Sequence, residues 1–126
     1  MPRRAIQVPG ATTSPLSQAI VLDGVIYCSG QVGRDPATGT VPPDIRAQTR
    51  NCLENLRAVL RQAGANLADV VKCTVFLTRQ EDFAAMNEEY AALFPEPRPA
   101  RSTVVVAALA RPGLVVEIEA IASVSR

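Results

Sequence analysis

The stretch RSTVVVAALARPGLVVEIEAIASV, residues 101–124, decides the fold. It is typical of two strands, 101–109 and 115–124, joined by a turn at ARPG. In the second strand small and apolar side chains occupy every other position, which gives one continuous face made of Val116, Ile118, Ala120 and Ala122. Such a face is stable only under another layer of structure, and we expect helices to cover it.

Four more strands are predicted upstream of this stretch. Alternation or β-forming residue types mark the segments 3–8, 17–22, 25–29 and 69–78. Asp23-Gly24 is a two-residue hairpin signal between the second and third segments. In segment 69–78 we expect an apolar face made of Val71, Cys73, Val75 and Leu77. Loops rich in Gly and Pro are predicted at 9–16 and 30–44.

Two helices are predicted between the strands. The first begins after Asp44, a suitable N-cap, and ends at Gly64; its apolar face consists of Cys52, Leu53, Leu56, Val59, Leu60 and Ala63. Its opposite face, with Arg50, Glu54, Arg57 and Arg61, is expected to be solvated. The second covers 80–94, with a core-facing stripe of Phe83, Met86, Tyr90 and Leu93 or Phe94, and PEPRPA at 95–100 ends it.

The element order predicts a single α+β domain over 1–126, with a mixed six-stranded sheet and two helices packed on one face.

The composition excludes several classes of protein function. The chain has no histidine, which excludes Ser-His-Asp and Cys-His catalysis and His-ligated metals. The formal net charge of +1 and the 4% of aromatic residues argue against nucleic-acid binding.

The cysteines and the N-terminus indicate where the protein works. Cys28, Cys52 and Cys73 are odd in number and widely spaced, so we expect free, buried thiols in a reducing compartment. The N-terminal residues lack the apolar core of a secretory signal, and no apolar run approaches the ~20 residues of a membrane span. We therefore expect a cytoplasmic protein without membrane contact.

The polar residues of the last two strands interrupt their apolar pattern. Glu117 and Glu119 share the other face of the final strand with Val115 and Ile121, so we expect a further subunit to cover that face. Arg101 opens the strand that is expected to lie beside it. Spacing alone favours a structural ion pair between Arg101 and one of these glutamates. The alternative is an anion site with a carboxylate acid or base next to it.

Four stretches of the sequence carry a resemblance to a known family. SPLSQAIVLDGVIYCSGQVGRDPATG (14–39), NCLENLRAVLRQAGANLADVVKCTVFLT (51–78), DFAAMNEEYAALFPEP (82–97) and PARSTVVVAALARPGLVVEIEAIA (99–122) resemble the Rid family of reactive intermediate deaminases, the YjgF-like proteins. The resemblance implies a chorismate-mutase-like fold and a homotrimer with clefts between its subunits. It also implies hydrolysis of 2-imino or enamine acids to 2-keto acids and ammonia, without metal or cofactor.

The same resemblance implies roles for individual residues. Arg101 would bind the substrate carboxylate, and Glu117 would activate water or protonate the leaving nitrogen. Ser29, Gly30, Thr103, Asn87 and Leu16 occupy the family's substrate-binding positions. Glu119 would be structural, with Lys72 as its expected partner.

The sequence departs from the family's pattern at three places. Leu16 stands where members usually have tyrosine, Thr103 stands where many have cysteine, and the segment after Leu109 is one residue longer. These departures bear on the substrate more than on the fold. Three other functions therefore stay open: a specialised 2-aminomuconate-type deaminase, a non-catalytic regulatory trimer that binds small molecules, and RNA cleavage.

Overall fold

A computed structural model describes residues 2–10 and 15–124, so residues 11–14 of the predicted loop lie outside the described part. One six-stranded sheet carries two helices, as predicted. The strands are β1 (Arg4–Ile6), β2 (Ala19–Leu22), β3 (Val25–Val32), β4 (Val70–Leu77), β5 (Ala100–Val105) and β6 (Val116–Ser123). The helices are α1 (Ile45–Gln62) and α2 (Phe83–Leu93), and short 3-10 turns occupy Leu67–Asp69 and Gln80–Asp82.

The strand order of the sheet is β1-β2-β3-β6-β4-β5. Only the β4–β5 pair is parallel, and α2 lies on the crossover that a parallel pair requires. Because β4 lies between β5 and β6, the expectation that the strand opened by Arg101 lies beside the final strand is wrong. The alternation of β6 is confirmed: Val116, Ile118, Ala120 and Ala122 are buried on the side of the sheet that α1 covers.

Helix α1 begins and ends where its sequence signals indicate. The Asp44 carboxylate accepts a hydrogen bond from the backbone N–H of Ala47 at 3.0 Å, and Gly64 has a positive φ of 81° just after the helix. The opposite face is exposed or half-buried at all four predicted positions, as expected. Two of its arginines form ion pairs there, Arg50 with Glu89 of α2 at 3.0 Å and Arg57 with Glu54 at 3.2 Å.

Helix α2 begins at Phe83, three residues later than predicted, because the 3-10 turn takes up the preceding residues. Met86, Tyr90 and Phe94 are buried, but the Phe83 side chain is 42% exposed and does not belong to the core. The predicted stripe is therefore correct at Met86, Tyr90 and Phe94 and wrong at the first residue of the helix. The exposed Phe83 ring lies beside an arginine, as described below.

Two strands contain irregularities that their local sequence does not indicate. β3 continues to Val32 through the predicted loop, and its register against β6 shifts between Cys28 and Gln31. The register of β4 shifts between Val70 and Lys72, so Val70 is buried and Val71 is 52% exposed, contrary to the predicted face. No helix in residues 2–10 and 15–124 is long and apolar enough to cross a membrane.

A fully buried amide joins three segments of the chain. The Nε2 group of Gln48 donates to the carbonyls of Pro42 and Gly113, both at 2.8 Å, and its Oε1 accepts from the backbone N–H of Val115 at 3.0 Å. Gly33 packs so closely on this residue that a β-carbon at Gly33 would overlap the Gln48 side chain and its backbone. Gln48 thus fixes the loops next to β3 and β6 against α1.

We expect Gln48→Ala to lower the free energy of unfolding by about 2–4 kcal/mol, because it leaves three buried backbone groups without partners. Urea denaturation followed by far-UV circular dichroism measures the change. Arg61→Ala, at an exposed position of the same helix, is the matched control and should change the stability by less than about 0.5 kcal/mol. Equal stabilities for Gln48→Ala and the wild type would contradict the role of this amide.

Candidate active site

Arg101 lies near the start of the edge strand β5, and its guanidinium rests on α2. Its Cζ is 4.8 Å from the centre of the Tyr90 ring and 5.8 Å from the centre of the Phe83 ring. Both distances are within the range of cation–π contacts. Its Nη1 approaches the Met86 sulfur at 3.9 Å. The side chain is therefore held by the faces of two rings and a thioether.

The Arg101 guanidinium has no carboxylate partner within 4.0 Å among the described residues. The structural ion pair with Glu117 or Glu119, which spacing alone favoured, is therefore absent from this part of the chain. The five N–H donors of a guanidinium suit a planar carboxylate, which they can bind through two parallel hydrogen bonds. Arg101 is thus a half-buried cation with most of its N–H donors still available.

Asn87 and Thr103 are the predicted site residues on the two elements that support and carry Arg101. Asn87 follows Met86 on α2, and Thr103 comes two residues after Arg101 on β5, so its side chain points to the same face of the sheet. We call these three residues the β5 half-site. The β5 half-site therefore contains one cation, Arg101, and two neutral polar side chains, Asn87 and Thr103.

The other predicted residues gather around the irregular part of β3. The carboxylate of Glu117 lies against Gly30, and a β-carbon on Gly30 would overlap Glu117 Oε2. Ser29 donates its hydroxyl hydrogen to the carbonyl of Ser17 at 2.7 Å, which fastens β3 to the segment before β2. A cavity of about 490 Å³ runs beside Ser29, Gly30 and Leu16, and the Leu16 side chain is 50% exposed. Leu16, Ser29, Gly30 and Glu117 form the β3 half-site.

One chain does not bring the two half-sites together. β4 separates β6, the strand of Glu117, from β5, a distance of about 10 Å at about 4.8 Å per strand, and β3 lies one strand further away. The faces also differ, because Arg101 pairs with the buried Cys73 on the helix side, whereas Glu117 alternates with the buried Val116 and Ile118 and points to the other side. Arg101 and Glu117 can act on one molecule only if they come from different copies of the chain.

The environment of Glu117 favours its protonated form. Burial raises the pKa of its carboxyl group above the ordinary value, and the negative charge of Glu119 raises it further. A carboxyl group with a raised pKa exchanges protons more readily near neutral pH than an ordinary surface glutamate does. Glu117 is therefore suited to take a proton from water and to return it to a leaving group.

The surroundings of the three cysteines and of Lys72 do not activate these side chains as catalytic nucleophiles. Burial raises the pKa of the Cys28 thiol to about 12 and also raises the pKa values of Cys52 and Cys73, so these thiols stay protonated. Lys72 donates to the Cys73 carbonyl and to Ser102 Oγ, both at 3.1 Å. Among the described residues it forms no ion pair with Glu119, so the expected structural pair is not present there.

Sequence reasoning missed the residues that hold the arginine. Tyr90 and Phe83 were assigned to the core stripe of α2, since helical periodicity identifies a face but not what lies on it. Arg34 and Arg111, which line the cavity of the β3 half-site, had no local signal because both lie in loops. In residues 2–10 and 15–124 no cluster of three or more His, Cys, Asp or Glu side chains could hold a metal ion.

Comparison with known proteins gives consistent results. The family model described as endoribonuclease L-PSP matches residues 6–124. A goat (Capra hircus) 2-iminobutanoate/2-iminopropanoate deaminase is 44% identical over 113 residues, 89% of this chain and 82% of the goat protein. RidA from the Antarctic bacterium Psychrobacter superposes with a TM-score of 0.89 at 42% identity, over 96% of this chain and 99% of RidA. E. coli TdcF, solved with bound serine, has a TM-score of 0.89 at 40% identity, over 97% of this chain and 99% of TdcF.

We expect Glu119→Gln to lower the pKa of Glu117, because it removes the neighbouring negative charge while burial still holds the value above normal. NMR titration of ¹³C-labelled glutamate carboxyl groups measures the shift. Glu54→Gln, which removes a carboxylate from the helix α1 surface, is the control and should leave the Glu117 titration unchanged. An unchanged or higher Glu117 pKa in Glu119→Gln would contradict the proposed coupling.

Proposed function

The chain belongs to the Rid (YjgF-like) family, and from that membership and the geometry of the half-sites we propose that it hydrolyses 2-imino and enamine acids to 2-keto acids and ammonia. The observation that carries the proposal is Arg101, a half-buried guanidinium seated on two aromatic rings with no carboxylate partner among the described residues. The goat relative named as a deaminase for such imines supports the reaction. The serine bound to TdcF supports a small ligand with an α-carboxylate.

In the proposed reaction Arg101 binds the α-carboxylate of the imine and fixes its orientation. Glu117 takes a proton from a water molecule, whose oxygen adds to C2 while the C=N double bond becomes a single bond. Addition to the protonated imine gives a neutral amino alcohol, whose nitrogen receives the proton from Glu117. Ammonia then leaves with the electron pair of the C–N bond, and the C2 hydroxyl passes its proton to the Glu117 carboxylate, and from there to water, as the keto group forms. No electrons leave the substrate and no other reactant than water is consumed.

We propose that the site forms between copies of the chain, because Arg101 and Glu117 lie on opposite faces of the sheet in one copy. The face that carries Glu117 also presents large apolar side chains, with Tyr27 46% exposed and Ile121 half-buried. A homotrimer, the assembly expected from the family, would cover this face and bring the β5 half-site of one subunit to the β3 half-site of the next. We expect this assembly in the cytoplasm, whose reducing conditions suit three buried free thiols.

RNA cleavage is the rival that the family description raises, since it names an endoribonuclease. The charges on the protein surface support RNA cleavage less well than the half-sites support the deaminase reaction. The formal net charge is only +1, and two arginines on the exposed side of α1, Arg46 and Arg50, form ion pairs with Glu88 and Glu89 of α2. A continuous strip of unpaired cations, which phosphate backbones require, is not formed by these helices.

We expect Arg101→Ala to lower kcat/KM for 2-iminobutanoate by about 100-fold or more, because a bidentate charge-assisted contact to the carboxylate is lost. Arg101→Lys keeps the charge but not the planar pair of donors, so its activity should be intermediate. A dehydratase generates the imine, and its decay is followed in competition with semicarbazide. Arg98→Ala, at a nearby exposed arginine, is the control and should retain full activity. Full activity in Arg101→Ala would refute the role of this residue.

We expect a mixture of two inactive variants to recover activity. Arg101→Ala and Glu117→Gln, carrying different tags and coexpressed in equal amounts, should regain activity at about one quarter of all sites, and at about one third of the sites in mixed trimers, if each site takes one residue from each of two subunits. If both residues of a site came from one chain, no mixed assembly would contain an intact pair. Purification through both tags in sequence selects the mixed assemblies, and the same imine assay measures them.

A further inference from the structure

The cavity of the β3 half-site carries two arginines that the proposed reaction does not use. Arg34 follows the end of β3 and Arg111 lies in the loop before β6, and both line the cavity of about 490 Å³ together with Ser29 and Gly30. Pockets of about 300–1,000 Å³ enclose ligands of drug size, so this space exceeds what a four-carbon imino acid fills. The cavity therefore has room for a longer substrate, and two arginine side chains line it.

The backbone around Arg34 is fixed by helix α1. Asn55 Nδ2 donates to the carbonyls of Val32 at 3.1 Å and of Arg34 itself at 2.9 Å. Asn51 Nδ2 donates to the intervening carbonyl of Gly33 at 3.1 Å. Three consecutive carbonyls are thus held by two asparagines, which places the Arg34 side chain at the cavity although it lies outside any strand.

The backbone that follows Arg111 is fixed by the same helix. The buried Gln48 donates to the Gly113 carbonyl at 2.8 Å and accepts from the backbone N–H of Val115 at 3.0 Å. Only Pro112 therefore lies between Arg111 and Gly113, the point at which its loop is anchored. Side chains of α1 therefore fix the backbone next to both arginines, whose own side chains are exposed at the cavity.

Neither Arg34 nor Arg111 forms an ion pair with a carboxylate within residues 2–10 and 15–124. The nearest carboxylate in sequence, that of Asp35, is occupied in its own turn, where Oδ1 accepts from the backbone N–H groups of Ala37 at 2.8 Å and Thr38 at 3.3 Å. Two cations at one cavity, without a compensating charge in the described chain, favour an anionic ligand.

We propose that Arg34 and Arg111 bind a second carboxylate of the substrate, so that the enzyme prefers dicarboxylic 2-imino acids. This inference rests on the proposed function, in which Arg101 of the other subunit binds the α-carboxylate. Since that group is then already satisfied, the two cavity arginines are left for the remote end of the molecule. The preferred substrate class is a 2-imino acid whose side chain ends in a carboxylate, and the product is a 2-keto dicarboxylic acid.

Binding of product analogues tests the proposal without requiring turnover. The probes are 2-oxoglutarate and its 5-methyl ester, which differ in the remote negative charge, and isothermal titration calorimetry measures both dissociation constants. We expect the wild type to bind 2-oxoglutarate about 10-fold or more tightly than the ester. Arg34→Ala and Arg111→Ala should each reduce this preference by about 3- to 10-fold, and the double variant should abolish it. Arg61→Ala removes an exposed arginine elsewhere and should keep the full preference.

Hydrolysis assays separate this inference from the proposed function. Amino-acid oxidases supply the imines of glutamate and of 2-aminobutanoate, and the wild type should favour the former. Hydrolysis of both imines at equal kcat/KM, with equal binding of the two probes, would overturn the dicarboxylate preference and leave the deaminase proposal intact. A binding preference that the arginine variants remove, without hydrolysis of either imine, would support the anion subsite and refute the deaminase.

Discussion

The register of β4 controls the arrangement of the whole site. Cys73 in this strand lies opposite Arg101 of β5 on one side and opposite Ala120 of β6 on the other, and all three point towards the helices. Alternation along β6 then turns Glu117 to the opposite face. The cation is accordingly built into the helical layer, where rings of α2 support it, and the carboxylate is built into the face that stays uncovered in a single chain. An assembly of copies is the arrangement in which both can meet one ligand.

The elements with complete local signals could be predicted from the sequence. α1 has a cap, a periodic apolar face and a terminal glycine, and β6 alternates without interruption, so their positions follow from residue types. The parallel pairing of β5 with β4 could not be predicted, because the residue pattern of one strand does not show which other strand it pairs with. The register shift near Val71 could not be predicted either. One unpaired residue in a strand reverses which face the neighbouring side chains point to, and the sequence pattern does not show where this happens.

For the candidate site, the sequence selects residues but does not show how the fold groups them. Resemblance to the family selected Arg101, Glu117 and their neighbours, and the structure divides them between two distant half-sites of the same sheet. The contacts of Tyr90 and Phe83 with Arg101 could not be predicted, because an aromatic residue on a helix face can either pack in the core or contact a cation. Arg34 and Arg111 lie in loops, whose positions depend on distant amide contacts and not on local periodicity.

The three hydrogen bonds of Gln48 also determine where the chain tolerates changes in length. They fasten the backbone at Gly113 and Val115, immediately before the strand that carries Glu117. The loop between Leu109 and Gly113, which contains Arg111, lies upstream of this anchor. Insertions and deletions in that loop can reshape the part of the cavity that Arg111 lines without displacing the strand that carries Glu117. Substrate range and catalytic chemistry are then free to diverge independently.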